Sequence, residues 1–194
     1  MIETVVATLY GLDIILLISF QFLNRDYPLF SHAISDYGVG KTARAFKIYV
    51  LAGCIAAPLL AWQFWSAQAP PYPAAIVVYL LGVMLGRLGI GLFVNDVRGT
   101  HRTRAGQMHR AATLLAFTCA YMTVAEATPM LTATVSGDLA VKLNVLKHLT
   151  SAGFIAVVLT SSAPLRRYFG VAERLFLYAT AMWFLTASLT LPPL

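Results

Sequence analysis

Six long apolar runs, at residues 4–23, 45–65, 73–94, 111–131, 143–162 and 175–191, leave this chain little choice of solvent. Each approaches the roughly 20 residues that an α-helix needs to cross about 30 Å of hydrocarbon. Inside a bilayer every backbone N–H and C=O must be satisfied within its own segment, which selects helices over open sheets. Charge agrees with hydropathy: 11% of the 194 residues are charged and 59% are hydrophobic, whereas soluble domains carry roughly 25% charged residues. The mean hydropathy is +0.73. The expectation is an all-α fold, a polytopic membrane helix bundle of six transmembrane helices forming a single domain over residues 1–194.

The connections alternate in charge. The first, third and fifth, with the helix ends they touch, hold Arg25, Lys41, Arg44 and Lys47, then Arg98, Arg102, Arg104 and Arg110, then Arg166, Arg167 and Arg174. The second has no charge, and the fourth has only Asp138 and Lys142. Lys and Arg resist translocation, so the basic connections belong in the cytoplasm and both termini outside, on the periplasmic face of an inner membrane. Orientation therefore accounts for the net charge of +6, and nucleic acid is not expected as a partner. Cys54 and Cys119 lie within apolar runs and read as small reduced hydrophobes. The first run lacks a basic n-region and a small-residue cleavage site, so it is expected to remain as a helix.

Local features refine the bundle. Pro58 falls inside the second run and is expected to kink it, while Pro70, Pro71 and Pro73 stiffen the second connection. Gly82, Gly86, Gly89 and Gly91 thin the third helix, which is expected to be central because a neighbour's backbone can approach it closely. Gly40-Lys41-Thr42 resembles the end of a P-loop, but Ser35 stands where its first glycine belongs and no strand precedes it, so nucleotide binding is not expected.

Charges within the runs need partners or water, because an ionised group at mid-bilayer costs at least about 2.5 kcal/mol. Counting at about 1.5 Å per residue, Asp13 and Arg87 lie roughly 15 Å and 21 Å from the outer surface, within reach of a guanidinium. They form one expected intramembrane ion pair. Glu126 and Lys147, with His148 beside the lysine, form the second. Such pairs either hold helices in register or mark a proton or substrate route.

The first and third connections carry the remaining chemistry. The first reads Ser31-His32-Ala33-Ile34-Ser35-Asp36-Tyr37-Gly38 and is long for a bundle linker, yet it lacks a disordered composition. The third places Asp96 after one helix and His109 at the start of the next. Imidazole and carboxylate are the usual ligands of zinc-like ions, and a catalytic site needs three of them plus an open position. His32, Asp36, Asp96 and His109 supply that set for a possible divalent metal. In the alternative, both aspartates cap helices or pair with arginines and His109 packs. The arginines near the third connection also suit anionic lipid headgroups. Haem is not expected, because His109 and His148 lie near opposite surfaces.

Ile34-Ser35-Asp36-Tyr37-Gly38, Ile90-Gly91-Leu92-Phe93-Val94-Asn95-Asp96 and Arg102-Thr103-Arg104-Ala105-Gly106-Gln107-Met108-His109 resemble the bacterial membrane family called domain of unknown function 998. Its pattern is approximately Gly-x-Phe-Pro-Thr-Asp followed by Thr-x-x-Gly-x-x-His. This chain keeps Asp96, Thr103, Gly106 and His109, with Val94 and Asn95 at the Pro and Thr positions. The resemblance implies a multi-helix membrane protein without an assigned reaction. Membrane hydrolases related to alkaline ceramidases similarly combine Ser, Asp and His, but their paired histidines four apart on a late helix are missing here.

The leading expectation is a cytoplasmic-side polar pocket, drawn from Ser35, Asp36, Asp96, Thr103, Arg104 and His109, that binds a small polar ligand or lipid headgroup. Three alternatives stand beside it: a metal-dependent hydrolase of a lipid-like substrate, a proton-coupled small-molecule transporter using Asp13, Arg87, Glu126 and Lys147, and an accessory subunit docked to other membrane subunits. Membrane lipids are expected partners in every case.

Overall fold

The computed structural model describes residues 1–67, 73–97 and 101–192; Pro70, Pro71 and Arg98 lie outside them. Six α-helices account for most of the chain: α1 Ile2–Leu23, α2 Ala43–Ser66, α3 Ala74–Leu92, α4 Arg104–Thr134, α5 Asp138–Thr160 and α6 Phe169–Thr190. Short 3-10 turns precede α2, at Ile34–Gly38 and Gly40–Thr42, and α6, at Ala163–Tyr168. No strand occurs among the described residues. Five helices, α1 to α5, are long and apolar enough to cross a membrane.

α6 begins six residues before its apolar run and carries Glu173 and Arg174 in its first turns, each 3% exposed. Thirteen of its 22 residues are buried, and it packs against α5, α1, α4 and α2. It is the central helix. The expectation that α3 is central is corrected, since only Ile76, Leu80, Val83 and Gly86 of that helix are buried. The physical reason is directional: the glycines form a stripe rather than a collar. Gly82, Gly86 and Gly89 meet Cys119, Ala116 and Ala112 of α4, where an added Cβ would collide. Leu81, Leu85 and Leu88 on the remaining surface are exposed, as lipid-facing residues are.

The first connection is folded onto the bundle rather than left in solvent. Ile34 and Tyr37 are each 1% exposed and join Leu17, Phe20, Phe46, Tyr49, Val50 and Ala181 in one apolar cluster. Phe20 anchors it, stacking on Tyr37 with centroids 5.2 Å apart and meeting Tyr49 edge-on at 5.9 Å. Aromatic contacts of this geometry contribute beyond their buried area. Arg174 adds a polar clamp: its Nη1 donates to the carbonyls of Leu29 at 3.0 Å and His32 at 2.8 Å. An arginine counted among the basic residues at the fifth connection is thus a buried strut.

Candidate functional site

The site begins with the start of α4. Thr103 is the N-cap, and its Oγ1 accepts from the Gly106 N–H at 3.0 Å. A threonine cap satisfies one of the four unpaired N–H groups at a helix start. Asp96 latches onto the same residue: Oδ1 accepts from Thr103 Oγ1 at 2.7 Å, Oδ2 from the Thr103 N–H at 3.0 Å, and Arg110 Nη2 approaches Oδ2 at 3.4 Å. These donors hold the Asp96 carboxyl below its ordinary range, the Thr103 bonds being the principal cause. Gly106 leaves the room this requires, because a Cβ there would run into the Asp96 carboxylate. One turn later His109 points inward, 2% exposed, with Nδ1 donating to the Phe93 carbonyl at 2.9 Å. That bond puts the proton on Nδ1 and leaves Nε2 as a buried acceptor without a hydrogen-bond partner.

Asp36 organises the facing connection. Its Oδ2 accepts from His32 Nδ1 at 2.9 Å and the Ala33 N–H at 3.1 Å, and its Oδ1 from Asn95 Nδ2 at 2.8 Å. Asn95 Nδ2 also reaches Ser35 Oγ at 3.1 Å, so one amide ties the first connection to the third. Burial raises the Asp36 carboxyl, and the His32 bond pulls in the opposite direction. Glu173, from α6, accepts from the Ile34 N–H at 2.6 Å.

Between these groups lies a cavity of about 380 Å³. Ser35, Asp36, Asn95, Asp96, Arg102 and Arg110 line its polar end, with His109 and Glu173 in its wall. Leu114, Phe117, Phe154, Val157, Val158 and Phe169 line the side formed by α4, α5 and the start of α6, where Thr113, Ser161 and Arg166 also border it. The apolar part opens sideways: Leu114 on α4 is 66% exposed and Val158 on α5 is 56% exposed. α4 and α5 pack together less extensively than α3 with α4 or α5 with α6, and the cavity occupies the gap. Of the residues expected in the pocket, Ser35, Asp36, Asp96 and His109 line it, whereas Thr103 and Arg104 do not.

The four expected metal ligands are not gathered into one set. Among the described residues no group of three or more His, Cys, Asp or Glu side chains is placed to hold a metal ion. The reason is prior engagement: His32 and Asp36 bind each other, Asp96 is spent on the α4 cap and Arg110, and His109 is turned to the Phe93 carbonyl.

Of the two expected ion pairs, the structure brings one together. Arg87 Nη2 lies 2.6 Å from Asp13 Oδ2, with Asp13 0% exposed. The guanidinium reaches α1 by crossing α2 at Gly53, where a Cβ would occupy its place. On the way Nη1 donates to the Tyr49 carbonyl at 3.1 Å, and the group sits 4.6 Å from the Tyr49 ring centroid. Glu126 and Lys147 form no ion pair. Glu126 continues the α4 stripe Ala112, Ala116, Cys119 that faces α3, and accepts from Tyr79 Oη at 3.2 Å. Lys147 stands on α5, off that stripe.

Sequence reasoning missed Asn95, Glu173 and the aromatic wall of Phe117 and Phe154. Asn95 carried a signal, since an amide beside Asp96 on a short connection can bridge two loops. Glu173 carried almost none, because a carboxylate next to an arginine at the edge of an apolar run looks like surface.

The model of the family described as Protein of unknown function (DUF998) matches residues 10–190. No curated protein and no solved structure matches the chain.

Proposed function

The chain belongs to the DUF998 family, and from that premise we propose that it is a multi-pass membrane protein, one domain with six spans and both termini outside, whose cytoplasmic-side pocket binds an amphiphile by its headgroup. The observation that carries this reading is the two-part lining of the 380 Å³ cavity. Pockets for small molecules are mostly apolar with a few convergent polar groups. This one largely separates them: Asp36, Asp96, Asn95, Arg102 and Arg110 gather under the two connections, and leucine, valine and phenylalanine, with Thr113, Ser161 and Arg166 at their edge, continue toward the lateral opening between α4 and α5. A water-soluble ligand has no use for the second half.

The headgroup would meet donors from Arg102 and Arg110 and acceptors from Asp36 and the free Nε2 of His109. That mixture suits a head carrying an acidic group together with hydroxyl or amine donors, and the chain of the amphiphile would lie along Leu114, Phe154 and Val158. Basic connections on the cytoplasmic face place the headgroup end at the inner leaflet.

Native mass spectrometry of the full chain released from mild detergent tests this. A retained lipid mass is expected on the wild-type protein and is lost in Val157→Trp, which fills the apolar half without touching the headgroup partners. A wild-type protein that carries no lipid and binds none from added membrane extract would overturn the proposal.

A further inference from the structure

A second cavity, of about 50 Å³, lies deeper in the bundle beside the Asp13–Arg87 pair, and we propose that it holds water which exchanges with the amphiphile pocket past the Phe117 ring. Tyr10, Tyr49, Arg87 and Thr180 line it together with apolar side chains. The volume exceeds the roughly 10–15 Å³ that one water requires. Size alone does not decide between wet and dry; the polar groups do.

Tyr10 Oη and Thr180 Oγ1 are buried without a hydrogen-bond partner, and so is Asp13 Oδ1 beside the pair. Among the buried threonines of the described residues only Thr150, on α5 and away from the cavity, shares this with Thr180. Thr123, Thr128 and Thr186 each donate their hydroxyl to the carbonyl four residues earlier, at 2.9, 2.5 and 2.8 Å. The Thr180 hydroxyl makes no such bond, and Thr180 is among the residues that line the cavity. Buried polar groups are almost always satisfied, and a cavity lined by the two residues whose hydroxyls lack partners, with Arg87 and Tyr49 beside them, has within reach the two to four partners a water needs.

Phe117 lines both cavities. Its ring lies 4.8 Å from that of Phe176, which lines the inner cavity, and Phe176 lies 5.8 Å from Phe154, which lines the pocket. Three rings therefore form the partition, and Phe117 is the one that both sides share. Rotation of that single side chain joins the two spaces, giving water and protons a way from the cytoplasmic pocket to the buried ion pair. This inference stands apart from the amphiphile reading, since each survives the failure of the other.

Infrared spectroscopy of the full chain in lipid nanodiscs, transferred from ordinary to oxygen-18 water, reads the site directly. The expected result is a sharp O–H stretch of confined water that shifts with the isotope and is lost in Tyr10→Phe/Thr180→Val. Absence of such a band, or its persistence in the double variant, would overturn the water site. Xenon binding to the wild-type protein gives a check that needs no variant: a dry cavity takes up the gas, a filled one does not, so occupancy by xenon overturns it as well. For the partition, Phe117→Ala is expected to speed isotope exchange of the same band after rapid mixing. An unchanged exchange rate would remove Phe117 from the route.

Discussion

Arg87→Met and Asp13→Asn break the same buried ion pair from opposite sides, and the structure predicts unequal losses. Removing one partner of a buried pair typically destabilises by about 3–5 kcal/mol, because the other charge is left without compensation. Asp13 has no donor other than Arg87: its Oδ2 meets that guanidinium and its Oδ1 has no hydrogen-bond partner. Arg87→Met should therefore lose about 4 kcal/mol. Arg87 is better supported, with the Tyr49 carbonyl at 3.1 Å, the Tyr49 hydroxyl at 3.4 Å and the ring face at 4.6 Å. One retained bond to a charged group contributes about 1.5–3 kcal/mol, so Asp13→Asn should lose only about 1–2 kcal/mol. The double variant removes both charges and should recover most of the Arg87→Met loss, leaving a coupling of about 3 kcal/mol, the upper end for contacting residues. Unfolding in mixed dodecylmaltoside and dodecyl sulfate micelles, followed by tryptophan fluorescence, measures all three. Equal losses in the single variants, or losses that simply add in the double, would refute the assignment of the pair and of its Tyr49 support.

Gly106→Ala tests the α4 start by the sign of its effect. Alanine is better than glycine inside a helix by about 1 kcal/mol, yet here the methyl group displaces the Asp96 carboxylate, so a net loss of about 2 kcal/mol of stability is expected, a cap contributing about 0.5–2 kcal/mol; stabilisation in the same micelle titration would contradict the latch. Glu126→Gln and Lys147→Met should add to within about 0.5 kcal/mol, as independent sites do, and a coupling well above that would show that the two side chains meet. The Asp96 carboxyl titrates below its ordinary value of 3.8, so its contribution is complete above that pH and is lost as the pH falls through its lower folded value. Amide exchange at Thr103 and Gly106, corrected for its intrinsic pH dependence, should accelerate only in that acid range, and Asp96→Asn should abolish the transition.

Much of this was legible from residue order. The length of the apolar runs foretold the helices, and the family resemblance carried by Thr103-x-x-Gly106-x-x-His109 drew attention to the start of α4. The structure supplies the reason for that spacing: a cap, a space for Asp96, and a histidine one turn on. The ligand role assigned to Asp36 and Asp96 was not legible, because a carboxylate that binds a metal and one that caps a helix look alike until their donors are seen. Glu126 and Lys147 show the same limit, since equal depth along two helices says nothing about which faces those helices turn to each other.

Composition and periodicity determined the solvent, the secondary structure and the spacing of basic connections, because burial of backbone groups in hydrocarbon and the side-chain period of a helix are local properties of the chain. Only the tertiary structure decided which helix is central, which carboxylate finds which donor, and where space remains. Those outcomes depend on the rotation of each helix against its neighbours, and that rotation is set by contacts such as Gly53 with Arg87 and Gly86 with Ala116, between residues more than 25 positions apart in the sequence.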